Sequence, residues 1–257
     1  GSHLTEALVA RGADGTVLDD CSAGAAENLN AVRDAVEFVE VDVRDRETVR
    51  DAMSDADLVF HLAANAHVPT SVEDPTYDFA VNATGTQAVL DEARTAGVER
   101  VVLASSAAVY GPPRDLPITE DHPTDPISPY GASKLAAEKL GFAYDATYED
   151  DVTALRIFNT YGPRQPRYVM FDLLEKLEAD PTELELLGSG EEVRTFVHVA
   201  DTVDAFLALA TSPDTPGTAY NVGGDEPLTI RELAETLTER YYDPDADIVP
   251  TGEAKPG

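Results

Sequence analysis

The chain has 257 residues, 43% of them hydrophobic, so it can bury a full core as one large domain or two closely joined ones. Its 49 acidic residues against 18 basic ones give a formal net charge of -31, which disfavours nucleic acids and anionic membranes as partners. We find no apolar run of about 18 residues and no signal-peptide pattern, and we therefore expect a cytoplasmic protein.

Cysteine and histidine give no sign of a disulfide or a metal site. The single cysteine, Cys21, cannot form an internal disulfide, and the five histidines lack the spacing of metal ligands. His61 lies near the end of a predicted strand and His67 follows it, and we interpret both, together with His198, as structural residues.

The acidic composition also suggests a salt-rich environment. Only four lysines are present, and at molar salt the Debye length of about 3 Å screens the repulsion among the many carboxylates. We hypothesise a halophilic source; the alternative is an acidic protein from an ordinary environment.

Short apolar segments alternate with helical patterns along the chain. Strands are predicted at residues 16–20, 36–42, 58–62, 100–104 and 152–157, with long helices at 75–96 and 129–148. This alternation predicts an α/β fold with a Rossmann-like, doubly wound parallel sheet in residues 1–161. Residues 162–257 have a looser pattern, with predicted helices at 168–179, 200–210 and 229–240 and a predicted strand at 219–222. This pattern predicts a smaller mixed α/β part that binds the substrate and from which some segments return to the sheet.

Tyr130 and Lys134 form the most informative pair in the sequence. Four residues apart, they lie on one helix face, where the ammonium can lower the pKa of the phenol from about 10. Ser106, at the end of a predicted strand, can hold an alcohol oxygen against the phenolate, which makes a site for moving a proton while a hydride leaves carbon. Alone, the pair is better explained by an ordinary helix that carries an aromatic core residue and a solvated lysine.

Four motifs occur in a fixed order around this pair. They are Ser-Ser-Ala-Ala-Val-Tyr-Gly (105–111), Pro-Tyr-Gly-Ala-Ser-Lys (129–134), Arg-Ile-Phe-Asn-Thr-Tyr-Gly-Pro-Arg (156–164) and Arg-Thr-Phe-Val-His-Val-Ala-Asp (194–201). Together they resemble the extended short-chain dehydrogenase/reductase family, and specifically its NAD-dependent nucleotide-sugar epimerases and dehydratases. The resemblance implies catalysis by Ser106, Tyr130 and Lys134.

Asp19 indicates which dinucleotide is bound. An acidic residue after the second strand can accept hydrogen bonds from both ribose hydroxyls and would repel a 2′-phosphate, so NAD is favoured over NADP. The alternative is an ordinary turn residue. Asp42 has a similar alternative, because acids at strand ends often cap the next helix. The cofactor-binding positions that the resemblance implies are Gly1, Asp19, Asp20, Ser22, Asp42, Val43, Leu62, Ala63, Ala64, Asn82, Tyr130, Lys134 and Phe158.

The two ends of the chain look cut when compared with the family. Residues 1–12 resemble the last glycine of the family's glycine-rich turn and the helix after it, so the first strand and two glycines are expected to be missing. A tag remnant is the alternative for the first three residues. The sequence ends at 255–257, where the family pattern continues.

Ala107 and Ala108 bear on the reaction. Dehydratases of the family carry an acid/base pair at these positions, and alanine cannot transfer protons, so the resemblance favours C4 epimerisation of a UDP-glucose or UDP-galactose type substrate through a 4-keto intermediate. Substrate contacts are implied for Ser106, Tyr130, Asn159, Arg194 and Lys255, the last standing where the family has arginine.

Three alternatives stay open. The substrate could be a UDP-linked uronic acid or N-acetyl sugar, the reaction could be another nucleotide-sugar oxidoreduction or dehydration, or the protein could sense NAD without catalysis. Relatives pair two long helices per subunit, so a homodimer through helices 75–96 and 129–148 is expected.

Overall fold

The computed structural model describes residues 1–252, which form two compact units. The first unit comprises Gly1–Ile157 and Ala200–Val222, and the second comprises Phe158–Val199 with the described residues from Gly223 onward. Lys255, expected to contact the substrate, lies outside the described residues.

The first unit contains the elements of an α/β fold. In chain order they are α1 (Ser2–Val9), β1 (Gly15–Asp19), a 3-10 segment (Ala26–Ala35), β2 (Val36–Glu40), α2 (Arg46–Ala52), β3 (Leu58–His61), α3 (Val68–Glu73), α4 (Pro75–Phe79), a π-helical turn (Ala80–Thr84), α5 (Gly85–Ala96), β4 (Arg100–Ser106), a 3-10 turn (Ala107–Val109), α6 (Pro129–Tyr148) and β5 (Asp151–Ile157).

The second unit and the returning segment complete the chain. Their elements are β6 (Asn159–Tyr161), α7 (Val169–Ala179), β7 (Glu183–Leu186), β8 (Val193–His198), α8 (Val199–Thr211), β9 (Ala219–Val222), β10 (Pro227–Thr229), α9 (Ile230–Tyr241) and β11 (Asp247–Pro250).

The main sheet is parallel, as the alternation of strands and helices predicts. Its order is β3-β4-β5-β9, and the register places Ser106 beside Ile157 at the ends of β4 and β5. The strands β1 and β2 form a second parallel pair. Within residues 1–252, no strand joins this pair to β3, so the parallel strands of the first unit form two separate sheets where the sequence predicted one.

Helices cover both faces of the main sheet. Val101 and Leu103 of β4 pack with α2 and α5, whereas Val102, between them, packs on the other side with Leu4 of α1 and Phe206 of α8. Successive side chains of a strand point to opposite faces, which explains the nearly continuous apolar run of β4. Each fully buried side chain of this kind contributes about 1.5–3 kcal/mol.

Arginine side chains form ion pairs with acidic residues of these helices and strands. Arg46 and Arg50 of α2 both hold the buried Glu92 of α5, with nitrogen–oxygen distances of 2.8 and 2.7 Å. Arg100 at the start of β4 pairs with Asp151 at the start of β5.

The helical segment predicted over 75–96 has the predicted bounds and contains one wider turn. The structure has the π-helical turn Ala80–Thr84 between α4 and α5, and this turn carries the buried Asn82. Such turns insert an extra residue into a helix and are frequent at functional sites. The sequence pattern did not predict it, because the apolar spacing changes little across a single wider turn.

The second unit has its own small core. The strands β10, β8 and β6 form one sheet, β11 and β7 form another, and the core around Leu177 and Leu184 includes residues of α7, α9 and β7. The strands β6, β7, β8, β10 and β11 were not predicted, because they are only three to six residues long and rich in polar residues. No helix within residues 1–252 is long and apolar enough to cross a membrane.

Candidate active site

Ser106 ends the central strand β4 and begins the 3-10 turn. Its Oγ accepts the N–H of Ala108 at 3.2 Å, which fixes the hydroxyl oxygen and leaves the hydroxyl proton available for another acceptor. The preceding residue, Ser105, is buried, and its Oγ donates to Glu138 at 2.9 Å, which holds the end of the strand in place. Ser106 can therefore donate to a substrate oxygen from a fixed position.

Tyr130 lies in the first turn of α6, which has strong start signals. Ser128 is the N-cap and accepts the N–H of Gly131 at 3.1 Å, and Pro129 occupies the first helical position. The N–H of Tyr130, which has no partner within the helix at this position, donates to Ser71 Oγ of α3 at 3.1 Å.

Gly131 allows α6 to approach the turn after Ser106. A Cβ at this position would lie 2.5 Å from the carbonyl oxygen of Ala108 and 2.9 Å from Cβ of Pro126. The missing side chain thus lets the helix start touch the 3-10 turn directly. This contact brings the Tyr130 end of α6 to the Ser106 end of β4.

Lys134 is buried one turn after Tyr130. Burial lowers the pKa of its ammonium to about 8, although the carboxylates Asp78 and Glu138 act in the opposite direction. The side chain makes no hydrogen bond or ion pair with other residues in 1–252. Its ammonium donors are therefore available for the hydroxyls of a bound molecule, while the two carboxylates partly compensate its charge.

Glu138 is fixed by a buried ion pair. The Arg156 guanidinium of β5 donates to both of its oxygens, at 2.6 and 3.0 Å, and also donates to the hydroxyl of Tyr110 at 2.7 Å. Both charged side chains are almost fully buried. The arrangement joins α6 to the main sheet at the level of Lys134.

Asn82 forms a second fixed polar centre. Its side-chain oxygen accepts the N–H of Asn65 at 2.8 Å, and its amide nitrogen lies 3.1 Å from the carboxylate of Asp78 and 3.0 Å from Ser133 Oγ. The π-helical turn therefore links the loop after β3 with α6. Sequence reasoning missed Asp78, Ser133, Glu138 and Arg156, although the four-residue spacing of Asp78 and Asn82, and of Lys134 and Glu138, is a signal that could have indicated them.

The residues expected around the adenosine ribose are exposed at the end of β1. Asp19 accepts the N–H of Cys21 at 2.8 Å, and Asp20 accepts the N–H and hydroxyl of Ser22. This bond forms a local turn through one oxygen of the Asp19 carboxylate, and the assignment of Asp19 to the cofactor ribose stays a prediction. Gly1 is the exposed N-cap of α1.

Asp42 does not cap the following helix. That role belongs to Asp45, while Asp42 binds the guanidinium of Arg44, which lowers the pKa of the Asp42 carboxyl. The side chain of Val43 packs against Gly85, where an added Cβ would lie 2.7 Å from Cγ1 of Val43. Leu62, Ala63 and Ala64 follow β3 in the loop that leads to Asn65.

The remaining expected residues lie in the second unit. Asn159 of β6 is exposed and donates to the carbonyl of Thr195 at 3.0 Å, and Arg194 of β8 is exposed, with its guanidinium donating to the carbonyl of Val193. Phe158 packs against Gly223, where an added Cβ would lie 3.3 Å from Cγ of the Phe158 ring. No group of three or more potential ligand side chains within residues 1–252 is arranged to hold a metal ion.

A family model for the NAD-dependent epimerases and dehydratases matches residues 1–223. The chain belongs to this family. NAD is thus its cofactor, and the donor chemistry fits: Lys134, which lies close enough to His61 at the end of β3 to lower its pKa, offers ammonium protons that no residue in 1–252 uses.

Individual relatives of this NAD-dependent enzyme span several reactions. It is 39% identical over 253 residues to a UDP-glucose 4-epimerase of Mycolicibacterium smegmatis, covering 95% of this chain and 80% of that protein. It matches with a TM-score of 0.87 and 33% identity the dTDP-glucose 4,6-dehydratase DesIV of Streptomyces venezuelae, solved with NAD bound, covering 99% of this chain and 83% of that one.

A third relative acts on a different type of sugar. The structure of a UDP-N-acetylglucosamine 4-epimerase from Methanobrevibacter ruminantium, in complex with UDP-N-acetylmuramic acid, matches with a TM-score of 0.90 and 29% identity, covering all of this chain and 83% of that one. Membership in the family therefore fixes NAD as the cofactor. The three relatives are named for reactions of nucleotide-linked sugars, and the choice among such reactions depends on the residues of this chain.

Proposed function

We propose that the protein catalyses C4 epimerisation of a UDP-linked hexose of the glucose/galactose type through a 4-keto intermediate. The observation that carries this proposal is the 3-10 turn directly after Ser106, which presents Ala107 and Ala108. The turn offers no side chain that could exchange a proton with the neighbouring sugar carbons. The ketone therefore has no route to loss of water from these positions and is returned to an alcohol.

In the proposed reaction Tyr130 accepts the proton of the sugar O4 hydroxyl while the hydrogen on C4 leaves as hydride. Ser106 donates a hydrogen bond to the same oxygen, and Lys134 binds the ribose of the nicotinamide half and favours the phenolate. NAD, when bound, supplies the acceptor and later the donor of the hydride. Return of the hydride to the opposite face of C4, with the proton returned to O4 by Tyr130, inverts the carbon and leaves no net redox change.

The proposal assigns binding to the other expected residues. Asp19, Asp20 and Ser22 would lie along the adenosine ribose, and Asp42 and Val43 near the adenine. Leu62, Ala63, Ala64, Asn82 and Phe158 would contact the rest of the cofactor. Asn159 and Arg194 would contact the substrate, where the bidentate guanidinium suits a diphosphate.

The decisive experiment is an NMR assay of the full-length protein in molar KCl with UDP-galactose and catalytic NAD. We expect UDP-glucose anomeric signals to appear with no accumulation of NADH. The variant Tyr130→Phe should abolish turnover and retain NAD binding, and unchanged turnover in that variant would contradict the mechanism.

Other outcomes identify the alternatives. Turnover only of UDP-linked uronic acids or N-acetyl sugars would replace the hexose, and a stable 4-keto-6-deoxy product would indicate dehydration. NAD binding without turnover of any of these sugars would favour a sensing role.

We also propose a homodimer through the helices at 75–96 and 129–148. Phe79 and Tyr148 expose about half of their side chains, and an open groove of about 530 Å³ is lined by Pro75, Thr76, Phe79, Ala80 and Thr84. Light scattering in high salt should give twice the mass of the chain, and a monomer would contradict this assignment. The cytoplasmic location expected from the sequence stays a prediction.

A further inference from the structure

Asp78 is a buried carboxylate that the proposed reaction does not use. Its side chain on α4 is completely buried, and it accepts from Asn65 Nδ2 at 2.8 Å, Asn82 Nδ2 at 3.1 Å and Ser133 Oγ at 2.6 Å. None of these donors is charged; the ammonium of Lys134 interacts with Asp78 electrostatically but forms no ion pair with it. A fully buried carboxylate that is held only by neutral donors is rare and costly, so it requires an explanation.

Ser133 connects this carboxylate to the catalytic helix. Its hydroxyl has one proton and two nearby acceptors, the Asp78 carboxylate at 2.6 Å and the carbonyl of Tyr130 at 3.0 Å. The carboxylate is closer and charged, so it takes the proton. Ser133 therefore ties α6 to α4 at a point between Tyr130 and Lys134, in place of bonding only within its own helix.

Tyr130 is held from a second side as well. Its N–H donates to Ser71 Oγ, and the Ser71 hydroxyl in turn donates to the carbonyl of Val68 at 2.7 Å. The first turn of α6 is thus fixed by α3 through Ser71 and by α4 through Asp78 and Ser133.

The same carboxylate also fixes the loop after β3. Asn65 donates its side-chain amide to Asp78, while its backbone N–H donates to the side chain of Asn82. This loop carries Leu62, Ala63 and Ala64. One buried group therefore holds both the loop assigned to the cofactor and the helix assigned to proton transfer.

We propose that Asp78 is a positioning residue whose carboxylate fixes the first turn of α6, and with it Tyr130 and Lys134, relative to the loop at 62–65. The inference rests on the proposed role of Tyr130. A displacement of about 1 Å in a catalytic group can cost about 100-fold in rate, so a residue that prevents such a displacement affects kcat without touching the substrate.

Three variants separate the parts of this arrangement. Asp78→Ala removes the carboxylate, and Ser133→Ala leaves the carboxylate in place but removes its link to α6, together with the contact between Ser133 and Asn82. Asp78→Asn keeps the shape: its oxygen can accept from Asn65 and Asn82, and its nitrogen can donate to Ser133 Oγ, whose proton then goes to the carbonyl of Tyr130.

We expect both alanine variants to lower kcat by about 10- to 100-fold at pH 7, with KM for the sugar nucleotide changed by less than about 3-fold. Asp78→Asn should restore most of kcat. The double alanine variant should be no slower than Asp78→Ala, because the two residues act through one contact.

Thr153→Val is the matched control. Thr153 is a fully buried hydroxyl of β5 that donates to the carbonyl of Thr215 at 2.9 Å, so this variant should lose stability and keep kcat. If Asp78→Ala fails to fold, Ser133→Ala carries the test alone.

Unchanged kcat in the folded alanine variants would overturn the proposal. An Asp78→Asn variant as slow as Asp78→Ala would also overturn it, because the charge of Asp78 and not its geometry would then account for the loss of rate. Amide hydrogen exchange across 130–134 in the NAD complex gives a readout independent of turnover. Exchange should increase in the alanine variants and not in Asp78→Asn or Thr153→Val. If the wild-type protein epimerises no sugar, the proposed function fails while this exchange pattern still decides the role of Asp78.

Discussion

His61 and Thr86 share a hydrogen bond whose direction is fixed. The distance between His61 Nε2 and Thr86 Oγ1 is 2.9 Å, and the single hydroxyl proton of Thr86 is donated to the carbonyl of Asn82 at 2.6 Å. Thr86 must therefore accept from His61, which places the imidazole proton on Nε2. A neutral histidine of defined tautomer thus connects the end of β3 to α5.

This histidine predicts a dependence of stability on acid. Burial, with a contribution from Lys134, lowers the pKa of His61 from 6.5 to about 3. Between these values the unfolded chain holds a proton that the folded protein does not, so stability falls as the pH falls through 6.5 toward 3, by up to about 1.4 kcal/mol per pH unit from this group. His61→Gln, whose amide can still donate to Thr86, should flatten the decline in urea-unfolding free energy between pH 7 and 5. Equal slopes in the two proteins would contradict the assignment.

Lys134 can be titrated directly, because the chain has only four lysines. We expect one lysine side-chain NMR signal to titrate near pH 8, in agreement with the lowered pKa, and to vanish in Lys134→Met. Since an unfolded lysine titrates near 10.5, this residue alone makes the fold more stable as the pH rises from 8 to 10.5. The absence of any signal that titrates below pH 9.5 would show that Lys134 is not desolvated as described.

The Glu138–Arg156 pair should be costly to break from one side. Arg156→Met leaves a buried carboxylate without its partner, and we expect a loss of about 3–5 kcal/mol in unfolding free energy. The double variant Glu138→Leu with Arg156→Met removes both charges and should recover part of the loss. A double variant less stable than Arg156→Met would indicate that the remaining polar partners, Ser105 and Tyr110, dominate.

Salt should stabilise the protein. With a net charge of -31, repulsion among surface carboxylates opposes folding in dilute buffer, and KCl screens it. We expect Tm to rise steadily with KCl toward molar concentrations. A Tm that does not change with KCl would favour the interpretation as an ordinary acidic protein.

The sequence predicted the elements that local signals define. The helix 129–148 was predicted with the bounds that the structure has, because a serine cap and a proline mark its start. The parallel sheet and the family followed from strand alternation and ordered motifs. Which residues bind cofactor and substrate stays a prediction that the variants above can test.

The buried polar groups could not be predicted in the same way. Asp78 receives its hydrogen bonds from residues 4, 13 and 55 positions away, and Glu138 is paired with a residue of the next strand. In a chain with 49 acidic residues, nothing in the local sequence distinguishes these carboxylates from those at the surface. Only the fold shows that they are buried.

The ion pairs between arginines and internal acidic residues limit which acidic residues of this protein can be replaced. Glu92, Asp151 and Glu138 are each held by an arginine within the first unit, whereas most other carboxylates face solvent. A version for use in dilute buffer could replace exposed acids with neutral or basic residues. The same exchange at Asp151 or Glu138 would leave Arg100 or Arg156, whose side chains are largely buried, without a counter-ion. A redesign guided by net charge alone would therefore destabilise the molecule that it aims to adapt.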